Sequence, residues 1–271
     1  MERITDHDAM RVEVVGATAN APPPPPLSLD VHHSPWPLVV ALAAVLVFLG
    51  LVALPLGLLG LLLLGVGALG WMAEEYRTVL HAKPTSGKVR TVRQTALQFF
   101  LVTETILFGV LFTYYFWARS YAAGPWPPQG THALDDLRMP AFNTALLVLS
   151  GVSAHLSLHW LRAGRAHAAM RALAVTIVLG LAFLVGQLRE YLSLGFSFAD
   201  HGFGSAFYAL TGVHGVHVAG GLVLLSVLLL LGMQGGLSAR RWSGLWSGVI
   251  YWHFVDGVWL VLFAVLYLRI V

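Results

Sequence analysis

The chain has 271 residues, 57% of them hydrophobic and only 11% charged, against roughly 45–50% and 25% in soluble domains. With a mean hydropathy of +0.74, this excludes a soluble globular domain, a wholly disordered chain, a collagen and a secreted disulfide scaffold, and marks a membrane protein. No cysteine and 16 dispersed basic residues behind a net charge of +3 further exclude thiolate metal sites, cysteine nucleophiles and a nucleic-acid surface.

Residues 1–35 are polar and contain five consecutive prolines at 22–26, a composition that favours extended polyproline and cannot pack a core. They read as a disordered lead-in, and no apolar stretch near the start suggests a cleavable signal peptide. Residues 37–72 are apolar almost throughout. One helix of that length would reach about 54 Å, beyond a hydrocarbon core of roughly 30 Å. Pro55 and Gly57 at its centre mark a break. Two short spans, 37–54 and 56–73, joined by a very tight turn, are therefore predicted. Five more follow at about 94–118, 141–161, 170–191, 205–232 and 244–268, which makes seven transmembrane helices and an all-α membrane fold.

Positive charge gives these spans a direction. With the N-terminus inside, the inner segments hold Arg3, Arg11, Arg77, Lys83, Lys88, Arg90, Arg93, Arg162, Arg165, Arg171, Arg240 and Arg241. The outer ones hold only Arg119, Arg138, Arg189 and Arg269. A 12:4 split of the 16 basic residues predicts a cytoplasmic N-terminus, an external C-terminus and an odd number of spans. The basic block at 74–93 is then a cytoplasmic loop. Trp36, Trp71, Trp117, Trp126, Trp242 and Trp246 fall near predicted span ends, where interfacial aromatics belong.

Ionisable residues inside spans are costly and are functional candidates by default. Glu104 is the clearest, flanked by Leu101, Val102, Ile106, Leu107 and Phe108. It reads either as a proton-handling carboxyl or as a neutral acid hydrogen-bonded between helices. His214 and His217 are three apart, as are His253 and Asp256, and His155 and His159 are four apart. Histidines at such spacing can ligate metal or haem. The Glu-x-x-His pairs typical of metal-binding bundles are missing from the spans, so interhelical hydrogen bonding is the expected role. Asp256 with His253 reads as an internally satisfied pair. Thr211, Gly215 and Ala219, at four-residue spacing, read as a small-residue packing seam. Soluble catalytic signatures and nucleotide fingerprints are absent. From the residues alone, the chain could be a transporter, a haem carrier or a structural subunit.

Several stretches resemble subunit III of the haem-copper cytochrome c oxidases. Ser34-Pro35-Trp36-Pro37 resembles that family's opening motif, and the stretch from Thr103-Glu104 to Phe116-Trp117 its third helix. Gly124-Pro125-Trp126-Pro127-Pro128-Gln129-Gly130 resembles the loop that follows. Pro140 with Asn143-Thr144 and Ser150-Gly151-Val152-Ser153 resemble the fourth helix, and Gln187-Leu188-Arg189-Glu190-Tyr191 the end of the fifth. The most specific are Thr211-Gly212-Val213-His214-Gly215-Val216-His217-Val218 and Tyr251-Trp252-His253-Phe254-Val255-Asp256-Gly257-Val258-Trp259. The likeness runs in order from about residue 33 to the C-terminus. Three positions depart from it: Thr78 follows Arg77 where a glutamate is common, Val213 replaces an aromatic, and Gly257 replaces a larger apolar residue.

The resemblance implies helices one and two (36–73) separated by a lipid-filled cleft from a bundle of helices three to seven (94–271). It implies no haem, copper or other metal in this chain, since those belong to partner subunits, but bound phospholipid. The expected partners are oxidase subunits I and II, with cytochrome c as electron donor to a complex that reduces dioxygen to water and pumps protons. The expected setting is a bacterial cytoplasmic membrane. Residue by residue, Glu104 matches the membrane carboxyl that supports proton uptake. His214, His217, Glu190, His253 and Asp256 match internal polar contacts, and Trp71 and Arg77 a lipid-headgroup region. A quinol oxidase or nitric-oxide-reductase-associated homologue is the nearest alternative, although quinol versions commonly lack the first two helices. A stand-alone proton-coupled transporter is the alternative of another class, but internal repeats and broken mid-membrane helices are not evident in the sequence.

Overall fold

The computed structural model describes residues 34–50, 53–81, 87–129, 131 and 136–269, and within these ranges it leaves some side chains, including those of 75–81 and 87–93, undescribed. Residues 1–33 of the proline-rich lead-in expected at 1–35, and the centre of the basic connection, 82–86, lie outside the described residues. Seven α-helices occur among the described residues: α1 Trp36–Leu49, α2 Leu54–His81, α3 Gly87–Ser120, α4 Arg138–Arg162, α5 Ala166–Ser193, α6 Gly202–Met233 and α7 Ser243–Leu266. Five of them, α3 to α7, contain stretches long and apolar enough to cross a membrane, and α1 and α2 contain shorter apolar stretches. The described residues thus contain the expected number of helices, seven, with membrane-spanning length and apolarity in five. The polar connection predicted at 74–93 carries helix at both ends, because α2 continues to His81 and α3 begins at Gly87. A helix need not stop where its apolar stretch does, since its backbone bonds are satisfied internally on both sides of the interface.

The chain divides into two compact units at Trp71. In the first, Pro55 sits in the opening turn of α2, where its missing N–H has no helical partner to lose. Glycines let α2 lie against α1: a Cβ at Gly57 would meet Gly50, one at Gly60 the backbone at Leu46 and Val47, and one at Gly70 the ring of Trp36. Such close approach is what small residues permit between apolar helices.

In the second unit, α4 packs along α5 and against α7, while α6 packs on α3, α5 and α7, and α3 also touches α7. The interior is aromatic as well as aliphatic, with Trp252, Trp259, Phe183, Phe203 and Phe207 fully buried. Outside, leucine, valine and phenylalanine side chains are exposed along the helices, the inverse of a water-soluble surface. Cβ atoms at Gly180 and Gly221 would press on the ring of Trp252, so these glycines form the seam that seats the indole. The predicted Thr211–Gly215–Ala219 ridge is not that seam. Thr211 is buried, but Ala219 is exposed and a Cβ at Gly215 would meet nothing within 4 Å. Four-residue steps turn about 40° further than a full helical turn, which carries the ridge off the inward face of α6.

Two helices end in the same turn. Gly164 (φ 77°) follows α4, with Arg165 N–H donating to Trp160 O; Gly235 (φ 79°) follows α6, with Gly236 N–H donating to Leu231 O. This left-handed cap satisfies terminal carbonyls and suits glycine. The Arg162 guanidinium lies 4.0 Å over the Trp242 ring, tying the α4–α5 and α6–α7 ends together. At the opposite end, His201 caps α6 by accepting Gly204 N–H on Nδ1 at 2.7 Å. Asp200 beside it accepts both Ser197 N–H and Ser197 Oγ–H at 2.7 Å, and these bonds hold its carboxyl below the ordinary aspartate value.

Full burial and an indole N–H donated to Ser150 Oγ at 3.0 Å make Trp252 the keystone of the α4–α7 contact. Trp252→Ala should cost about 3–5 kcal/mol and Ser150→Ala about 0.6–2 kcal/mol, read from denaturant titration in micelles. At the α5–α6 connection, the carboxyl resonance of Asp200 should titrate below the ordinary range, and Ser197→Ala should raise the midpoint. The Ser197–Asp200 clamp is thus fully formed above the ordinary aspartate range and is lost as pH falls through the lowered value.

Candidate functional site

Glu104 lies near the middle of α3, about 26 Å along it from Gly87. Its side chain and that of His217 on α6 are each only 16% exposed and meet at 2.8 Å, His217 Nε2 to Glu104 Oε2. The other ring nitrogen, Nδ1, lies 2.8 Å from Val213 O on the same helix. A carbonyl can only accept, so Nδ1 carries a hydrogen. The bond to Glu104 then has two forms. In one, neutral glutamic acid donates to bare Nε2; in the other, imidazolium donates to carboxylate. Each holds a single proton between the two heavy atoms, and each leaves the pair with zero formal net charge.

The surroundings hold this geometry. The Phe108 ring, one turn from Glu104, lies 5.1 Å from the His217 ring, and the Tyr251 hydroxyl of α7 donates to His217 O at 3.2 Å. Tyr251 also packs on Phe100, one turn before Glu104. Glu104 thus takes its partner from α6, and α7 braces that partner through the His217 carbonyl. Its isolation in an apolar run flags the carboxyl in the sequence, whereas Tyr251 and Phe108 carry no comparable signal.

The other candidates lie elsewhere. His214 does not join His217: it is buried between Phe183, met edge-on at 6.0 Å, and Trp259, stacked at 5.2 Å. Neither of its ring nitrogens has a hydrogen-bond partner among the described residues, so the expected interhelical bond forms at His217 alone. Glu190 is buried and accepts from Gln187 Nε2 at 3.1 Å. His253 Nδ1 and Asp256 Oδ2 stand 3.9 Å apart, which is ion-pair range but too long for a hydrogen bond. Asp256 Oδ1 has no hydrogen-bond partner among the described residues. The His155 ring lies 6.1 Å from that of His253. Among the described residues, no three histidines or carboxylates are grouped to share a metal ion. Trp71 is half-exposed in α2; the Arg77 side chain lies outside the described residues.

The indole ties of α7 to α4 are not among the contacts expected from the sequence. Trp252 Nε1–H donates to Ser150 Oγ and Trp259 Nε1–H to Thr144 Oγ1, each at 3.0 Å. Two tryptophans seven residues apart on one helix were the available signal, because a buried indole N–H needs an acceptor.

A family model described as cytochrome c oxidase subunit III matches residues 29–270. Cytochrome c oxidase subunit 3 of Sus scrofa is 35% identical over 248 residues, covering 88% of this chain and 95% of the relative. The protein of the same name from Cyprinus carpio is also 35% identical, over 251 residues, and that from Mus musculus is 34% identical over 254, with the same coverage of both chains. The resemblance carried by the motifs around Glu104, His217 and His253 therefore extends over nearly the whole sequence, and the chain belongs to the cytochrome c oxidase subunit III family.

Proposed function

We propose that this chain is the non-redox subunit III of a proton-pumping terminal cytochrome c oxidase, packed on subunit I, binding phospholipid and supporting proton uptake and turnover stability. Family membership makes it an integral membrane protein and one subunit of an oxidase complex. Haem and copper, the centres that reduce dioxygen with electrons from cytochrome c, are assigned to the partner subunits. Phospholipid headgroups are assigned to the region of Trp71 and Arg77. The presence of both α1 and α2 favours a cytochrome c oxidase over a quinol oxidase.

The hydrogen bond between Glu104 and His217 carries this reading. A lone carboxylate at mid-membrane would be costly. The pair exchanges its proton between two neutral arrangements, so it can hold that proton at lipid depth without exposing net charge. That property suits a group that buffers or relays protons toward a neighbouring subunit. It supplies no electron and needs none.

Glu104→Gln preserves size and hydrogen bonding but removes titration. The assembled complex carrying it should consume oxygen at a near-normal initial rate, lose labelling by an apolar carbodiimide at this position, and inactivate sooner during sustained turnover. Immediate loss of nearly all oxidase activity in a fully assembled variant would make Glu104 an obligatory carrier and refute the supporting role.

The charge split assigns orientation, with the N-terminus cytoplasmic in a bacterial inner membrane. The native chain lacks cysteine, so single introduced thiols report cleanly. Ala123→Cys, after α3, should label only from outside, and Ala239→Cys, before α7, only from the cytoplasm. The reverse pattern would invert the topology.

A further inference from the structure

We propose that the outward face shared by α4 and α7, around His155 and His253, seats a transmembrane helix of a partner subunit that offers neutral hydrogen-bonding side chains at mid-bilayer depth. The inference rests on the reading of this chain as an oxidase subunit and adds the face, the depth and the chemistry of the contact.

Four observations converge. His155 is exposed on α4 and the His253 side chain on α7 is 38% exposed, although both lie within spans. The cluster includes a carboxyl: Asp256 projects against Gly151, where a Cβ would collide with Oδ2, and its distance from His253 is 3.9 Å. Lipid tails can offer these groups no hydrogen bond. The flanking positions Val148, Val152 and Leu260 are exposed and apolar, as the rest of a helix–helix seam would be. Gly257, between Asp256 and Leu260 in the chain, is exposed, and a Cβ there would meet nothing within 4 Å. Among the described residues no packing requires its small size, and the absence of a side chain leaves room for another backbone.

The outward face of α5 differs in chemistry. Its exposed row, Val175, Val178, Leu181, Val185 and Leu188, is wholly apolar and suits lipid. The α4–α7 face presents two imidazoles, with the mostly buried carboxyl of Asp256 beside them and no lysine or arginine among the three. Their complement is therefore a hydroxyl or amide side chain on the incoming helix, which can both donate to and accept from an imidazole.

The test uses the complete chain, tagged and expressed with its oxidase in native membranes. A photo-crosslinking phenylalanine replaces Val152 on this face, or Val178 at similar depth on α5. Val152 should capture a partner oxidase subunit at least ten times more than Val178, which should capture lipid. His155→Leu with His253→Leu should make the chain about three- to thirtyfold more readily lost in mild detergent. His155→Gln with His253→Gln, which keep hydrogen-bonding capacity, should restore much of the retention. Lipid adducts alone at Val152, or adducts to a second copy of this chain, would overturn the inference while co-purifying oxidase subunits left the functional reading standing. Equal retention of the Leu and native chains would likewise overturn it. Failure of any oxidase subunit to co-purify would overturn the functional reading and this inference together.

Discussion

Hydrocarbon cannot donate or accept a hydrogen bond, so a polar side chain carried into the bilayer is costly unless it finds a partner in protein. In the unit formed by α3 to α7 that requirement ties neighbouring helices together. Trp252 and Trp259 bind α7 to α4 through Ser150 and Thr144. Ser153 donates to Ala172 O across α4 and α5, and Tyr191 to Thr211 across α5 and α6. Glu104 and His217 join α3 to α6, and Tyr251 joins α7 to α6 at the backbone of the same histidine. Because lipid tails are as apolar as leucine, these polar ties and the close approaches at Gly180 and Gly221 supply what hydrophobic burial supplies in a soluble core.

His217 is where two of these ties converge. Its imidazole reaches α3 and its carbonyl receives α7, and the ring cannot turn without breaking its bonds to Glu104 and to Val213 O. Phe108 closes one side. The tautomer is thereby set by Val213 O, and the proton shared with Glu104 is held in a fixed line rather than in a mobile side chain.

The helices were legible in the sequence because apolar runs of membrane length are unambiguous, and Pro55 and Gly57 divided the one run that was too long. Helix ends were less legible at 74–81 and 87–93, where helix continues into polar sequence. Glu104 stood out as a lone carboxyl, yet its partner lies 113 residues away, and helical periodicity does not say which face meets which neighbour. His214 and His217 show the cost of that silence. Three residues along a helix rotate the side chain to within about 60° of its starting direction, close enough to share one face in projection. Here the difference separates an aromatic pocket between α5 and α7 from a carboxyl on α3. His253 and Asp256 have the same spacing, but they stand too far apart to satisfy each other.

The Glu104–His217 pair also has an electrical consequence. Its heavy atoms are 2.8 Å apart, roughly a tenth of a hydrocarbon core of about 30 Å. A whole charge crossing the membrane against 100 mV does about 2.3 kcal/mol of work, so a proton hop confined to this bond couples to at most roughly 0.2 kcal/mol of it. That is below thermal energy. The partition of the proton between acid and imidazole is therefore nearly blind to the membrane voltage that an oxidase itself builds. An energised membrane and a discharged one would find the pair in the same state.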